Sequence, residues 1–99
     1  MDMDQLIREQ ARLIILKALA AQVNDTLNSD LLGHELRPFG ITRPREWVHG
    51  EITWLREMGA VTVLNAGSIM VATLTDKGWR HLSREIAIEG IQRPSRDGG

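Results

Sequence analysis

The sequence predicts a mostly helical α+β domain with a three-helix core, a two- or three-stranded hairpin and a closing helix. Three observations between residues 43 and 78 carry that expectation. A proline-started amphipathic stretch, Arg43-Pro44-Arg45-Glu46-Trp47-Val48, runs to a glycine stop at Gly59. Two apolar runs, Ala60-Val61-Thr62-Val63-Leu64 and Ile69-Met70-Val71-Ala72-Thr73-Leu74, flank the turn residues Asn65-Ala66-Gly67, which is a hairpin signal. Thr75-Asp76-Lys77-Gly78 then opens a new helix. With two helices upstream, this order is the layout of a winged helix-turn-helix. That fold commonly offers its third helix to the major groove of DNA.

Taken in order, the elements justify the layout. Asp4 can cap the first helix, where Leu6, Ile7, Leu13, Ile14, Ile15, Leu16, Ala18 and Leu19 cover more than one face. A helix apolar on most sides is buried on most sides, within one subunit or partly against a second. Asn24-Asp25 reads as a turn, and Thr26-Leu27 as a very short strand laid on the later hairpin. Asn28 or Ser29 caps a second helix carrying Leu31, Leu32 and Leu36. It ends near Arg37, because Pro38 disfavours helical geometry at the residue before it. Phe39-Gly40-Ile41 makes the tight connection that follows.

In the third helix, spanning residues 43–58, Val48, Ile52 and Leu55 recur at i, i+4 and i+7 and define its packed side. Arg45, Glu46, His49 and Thr53 lie opposite, with Arg43 at the amino-terminal tip. Gly50 sits among them, although glycine inside a helix costs about 1 kcal/mol relative to alanine. Close approach of another surface would favour a bare backbone there, and simple tolerance of the glycine is the other explanation. The last helix is expected to run from Thr75 to a stop at Gly90, with Trp79, Leu82 and Ile86 at helical spacing. Residues 1–90 thus form one domain, and residues 91–99, polar from Gln92 onward, a flexible tail.

Composition narrows the function. Ninety-nine residues suffice for one small core. The absence of cysteine excludes disulfides and thiolate metal sites. The apolar stretch from Ala11 to Ala21 is broken by Arg12 and Lys17, too short and too charged for a bilayer span of about 20 residues. The acidic start Met1-Asp2-Met3-Asp4 lacks the basic region of a secretory signal, so a cytoplasmic protein is expected. Twelve Lys and Arg against thirteen Asp and Glu give a net charge of −1. Attraction to a polyanion must then come from local placement or from a dimer, since there is no global excess of positive charge.

The segments Ile52-Thr53-Trp54-Leu55-Arg56-Glu57-Met58-Gly59-Ala60-Val61 and Ala72-Thr73-Leu74-Thr75-Asp76-Lys77-Gly78 resemble winged-helix transcription regulators of the MarR and ArsR type. More closely, residues 10 to 94 resemble a family of small ArsR-like proteins of Mu-like phages and prophages. The residues that carry this likeness are Ala11-Arg12-Leu13-Ile14-Ile15-Leu16-Lys17-Ala18-Leu19, Arg45-Glu46-Trp47-Val48, Trp54-Leu55 and Gly59-Ala60-Val61-Thr62-Val63. The resemblance implies a phage-type regulator that binds double-stranded DNA as a homodimer, without a cofactor. Metal sensing by ArsR-type cysteines does not carry over, and the wing tip Asn65-Ala66-Gly67-Ser68 lacks the Arg or Lys that often enters the minor groove.

On duplex DNA, Arg43 and Arg45 would contact phosphates or guanine edges, and His49 and Thr53 would touch bases. Glu46 would accept from a cytosine amino group or buttress Arg43, and Asn65 on the wing would brush the backbone. The plainer reading of this face is a solvated or protein-binding surface. Trp47 and Trp54, seven residues apart, fit a core or subunit contact better than base stacking. A second function class uses the same fold as a protein-interaction module in phage assembly or packaging, with Trp47 or Trp54 as exposed anchors. His49-Gly50-Glu51 matches the H-x-E fragment of zinc deaminases but has no cysteine partners. His34, His49 and His81 show no metal-ligand spacing, and no nucleophile motif supports catalysis.

Overall fold

The computed structural model describes residues 2–96. Among them, four α-helices and a three-stranded antiparallel sheet follow the order α1 (Met3–Ala20), β1 (Thr26–Asn28), α2 (Ser29–Leu36), α3 (Arg45–Glu57), β2 (Val61–Ala66), β3 (Ile69–Leu74) and α4 (Asp76–Leu82). One 3₁₀ turn, Arg37–Phe39, follows α2. The helix α1 is the spine, in contact with α2, α3, α4 and β3. Ala11, Leu13, Ile14, Ile15, Leu16, Ala18 and Leu19 are all buried, so most of the apolar coverage of α1 is met within a single chain, while Leu6 stays exposed. Its cap is Asp2, whose carboxylate accepts the Gln5 N–H at 2.8 Å. Asp4, expected in that role, sits in the first turn and pairs with Arg8 instead.

The short strand predicted at Thr26-Leu27 is present and pairs with β3 in the register Thr26↔Thr73 and Asn28↔Val71. The sheet order is therefore β1-β3-β2. Asn28 caps α2 by accepting the Leu31 N–H at 2.9 Å. The chain then turns through Gly40 at φ +78°, a left-handed geometry that side chains with a Cβ resist. Pro44 stands at the cap of α3, so the helix begins at Arg45, slightly later than its sequence signal suggests. Val48, Ile52 and Leu55 are buried, as their spacing requires. The hairpin is tighter than predicted. Asn65 and Ala66 belong to β2, and the pair Ala66↔Ile69 leaves a two-residue turn at Gly67-Ser68.

The carboxyl-terminal end departs from the sequence expectation. Thr75 caps α4 by accepting the Gly78 N–H at 3.1 Å, but the helix stops at Leu82, well short of Gly90. Arg84 takes φ +66°, which a continuing helix cannot accommodate. Of the apolar residues at helical spacing, Trp79 is exposed and Leu82 and Ile86 are half-buried, while Ile88 and Ile91 further on are buried in the core. His81, fully buried, fixes this irregular segment. Its Nδ1 accepts the Ile88 N–H at 3.0 Å, so the ring proton lies on Nε2, which donates to Gln92 O at 3.0 Å. The Gln92 N–H donates to Glu9 O on α1 at 3.1 Å, Arg84 donates to Pro94 O, and Pro94 is buried. Packing thus continues past the expected boundary at residue 90 to Pro94. Residues 97–99 of the expected tail lie outside the described residues.

Candidate nucleic-acid interface

The helix α3 has two polar flanks of opposite character. Toward α1 lies Glu51, only 2% exposed, an acid that the sequence alone leaves in an empty motif. Arg12 Nε donates to one of its oxygens at 2.7 Å, and Arg8 to the other at 2.5 Å. The Arg8 guanidinium is held above its ordinary range, first by its hydrogen bond with Asp4 and then by that with Glu51. Arg12 also donates to Gly90 O at 2.8 Å and lies over the Trp54 ring at 3.8 Å. A Cβ on Gly90 would meet Trp54 Cζ2 at 2.6 Å, so the aromatic edge seats directly against bare backbone. Trp47 has Arg8 at 5.4 Å and Arg43 at 5.5 Å from its ring centroid. Both tryptophans are half-buried under arginines, and neither stands free as an anchor.

The outward face carries the residues the sequence singles out. Arg43, Arg45 and Glu46 are exposed, and His49 and Thr53 are half-buried. His49 is already engaged, its Nε2 2.9 Å from Ser29 Oγ, which also accepts the Met70 N–H at 3.1 Å. This ring ties α3 to α2 and the sheet. Asp30, not Glu46, is the carboxylate beside an arginine here, at 3.4 Å from Arg45 with both side chains about half exposed. Gly50 faces open space, and a Cβ added there would meet nothing within 4 Å. Asn65 is exposed near the end of β2, an edge strand that among the described residues pairs with β3 alone, and its neighbour Leu64 is also exposed.

Between α2 and the start of α3 lies an open cleft of about 310 Å³. Arg37, Arg43, Arg45, His34 and Thr42 line it, with Ser29 and Gly33 on the α2 side and Asp30 as its one carboxylate. Arg37 is not among the contacts expected from the sequence. The signal for it is a stripe of Ser29, Gly33 and Arg37 spaced by four, which puts Arg37, the residue that closes α2, on the same side as the other two. A second groove, of about 390 Å³, runs along α1 between Phe39 and Arg93. Among the described residues no group of three or more His, Asp or Glu side chains is placed to hold a metal ion. Among them too, no helix is long and apolar enough to cross a membrane.

Over 91 residues the chain is 33% identical to "Uncharacterized protein gp26" of Escherichia phage Mu, a match spanning 92% of this chain and 94% of that protein. The chain belongs to the family of that phage protein. No family model matches it, and no solved structure matches it.

Proposed function

We propose that this chain is a winged helix-turn-helix protein that binds duplex DNA, a phage-type transcriptional regulator akin in plan to the MarR and ArsR types. The observation that carries the reading is the amino-terminal end of α3. There Arg43 and Arg45 stay exposed while Val48, Ile52 and Leu55 hold the helix to the core. Support also comes from the order of elements, in which β1 joins the hairpin through β3 and α3 follows α2 across a tight turn. In this reading α3 enters the major groove, Glu46 and Thr53 meet base edges, and the β2–β3 hairpin with Asn65 runs beside the backbone. His49 serves mainly to brace α3 through Ser29. A homodimer would present two such helices to half-sites about 34 Å apart.

The test is an anisotropy titration with random-sequence duplexes at low and moderate salt. Arg43→Ala combined with Arg45→Ala should abolish binding while leaving the melting temperature within a few degrees. Unchanged affinity overturns these contacts. The rival reading, a protein-interaction module in phage assembly or packaging, requires free tryptophan anchors on α3. Trp47 and Trp54 are half-buried with Arg8, Arg43 and Arg12 over their rings, and a pull-down that retains a protein but no DNA would favour the rival.

A further inference from the structure

We infer that the cleft between α2 and α3 is a phosphate-binding site, in which Arg37, Arg43 and Arg45 converge on one oxyanion. The inference rests on the DNA-binding reading for its natural ligand, a backbone phosphodiester, and changes what the arginines do. They clamp the backbone, and sequence discrimination falls to Glu46, Thr53 and the bare backbone at Gly50.

Three guanidiniums and one carboxylate line a single cleft in a chain whose net charge is −1, so positive charge is concentrated where the chain as a whole has none to spare. The Arg37 guanidinium has no hydrogen-bond or ion-pair partner among the described residues, although it borders Asp30 in the same cleft. Arg45 reaches Asp30 only at 3.4 Å with both groups half exposed, a contact that a stronger acceptor displaces readily. The floor of the cleft includes Gly33, in the middle of an eight-residue helix, where nothing lies within 4 Å of a Cβ position. Glycine is a poor helix former, and no neighbour in the fold requires it there, but a side chain at that position would occupy the cleft. Planar guanidiniums match phosphate oxygens with paired N–H donors, and Thr42 and His34 add further polar groups at the rim.

The experiment uses the whole chain. Arg37→Ala should weaken binding to specific and random duplexes alike, by about tenfold. It should also lower the slope of log affinity against log salt by about 1. Gly33→Leu, which fills the cleft and improves helix propensity, should weaken binding equally without lowering the melting temperature. In parallel, inorganic pyrophosphate is titrated at low salt while the side-chain Nε–H signals of Arg37, Arg43 and Arg45 are followed by NMR. Joint shifts of all three, lost in Gly33→Leu, support the site. If the unmodified chain binds duplex and Arg37→Ala binds equally well, the site is overturned and the DNA reading stands. If Arg37→Ala weakens one sequence only, Arg37 reads a base and the clamp is overturned. If duplex is not bound but pyrophosphate shifts the three arginines, the DNA reading falls and the site takes a small phosphate. No shift and no duplex binding overturns both.

Discussion

The two flanks of α3 use the same pair of residue types to opposite ends. On the α1 side, Glu51 is sealed between Arg12 and Arg8 at 2.7 and 2.5 Å, with aromatic rings over the guanidiniums. On the α2 side, Asp30 and Arg45 stand 3.4 Å apart in solvent, and the Arg37 guanidinium has no partner among the described residues. Desolvation accounts for the contrast. A buried guanidinium must be neutralised and hydrogen-bonded where it lies, because an unpaired charge away from water is costly. An exposed one stays hydrated and can exchange water for a ligand. The inner arginines therefore set the seat of α3, and the outer ones are the chemistry it offers.

The strongest way to break this comparison is Glu51→Ala. It leaves Arg12, 6% exposed, without its carboxylate, and should cost about 3–5 kcal/mol in urea unfolding. A loss under about 1 kcal/mol would mean that the inner cluster does not hold α3. Next comes Gly90→Ala, which combines φ +97° with a Cβ driven into Trp54. Such backbone strain costs about 1–3 kcal/mol, and the near-ultraviolet circular dichroism of the tryptophans should change with it. The smallest effect is expected on the other flank. Asp30→Asn should alter stability by less than about 1 kcal/mol, because an exposed pair contributes little. The same change should raise affinity for duplex by removing the competing acid, and a weaker-binding Asp30→Asn would show that Asp30 helps to position Arg45.

The sequence makes some of this legible and hides the rest for identifiable reasons. Local signals suffice for Asn28 at its cap, for the Val48, Ile52 and Leu55 stripe and for the paired strands, because caps, helical period and strand alternation act over a few residues. Glu51 is opaque. A carboxylate on an amphipathic helix normally faces water, and its partners lie 39 and 43 positions away in sequence. The one hint is Arg8 and Arg12, a turn apart on a helix otherwise apolar on that side. The carboxyl-terminal segment misleads for a different reason. Trp79, Leu82 and Ile86 keep helical spacing, but an imidazole and a positive φ at Arg84 set the path of the chain after Leu82, and neither has a sequence signature. The candidates Arg43, Arg45 and Glu46 lie on the surface as their spacing implies, while the tie between His49 and Ser29 depends on a contact across helices.

The coil that follows α4 has a practical consequence for anyone trimming this molecule. A fragment ending at Leu82 would keep every helix and strand and look complete on a topology diagram. It would nonetheless lose the carbonyl that steadies Arg12, both partners of the His81 imidazole and two isoleucines from the interior. The least regular stretch of the polypeptide is thus what its most regular helix relies on, and deletions there should be read first as damage to the scaffold.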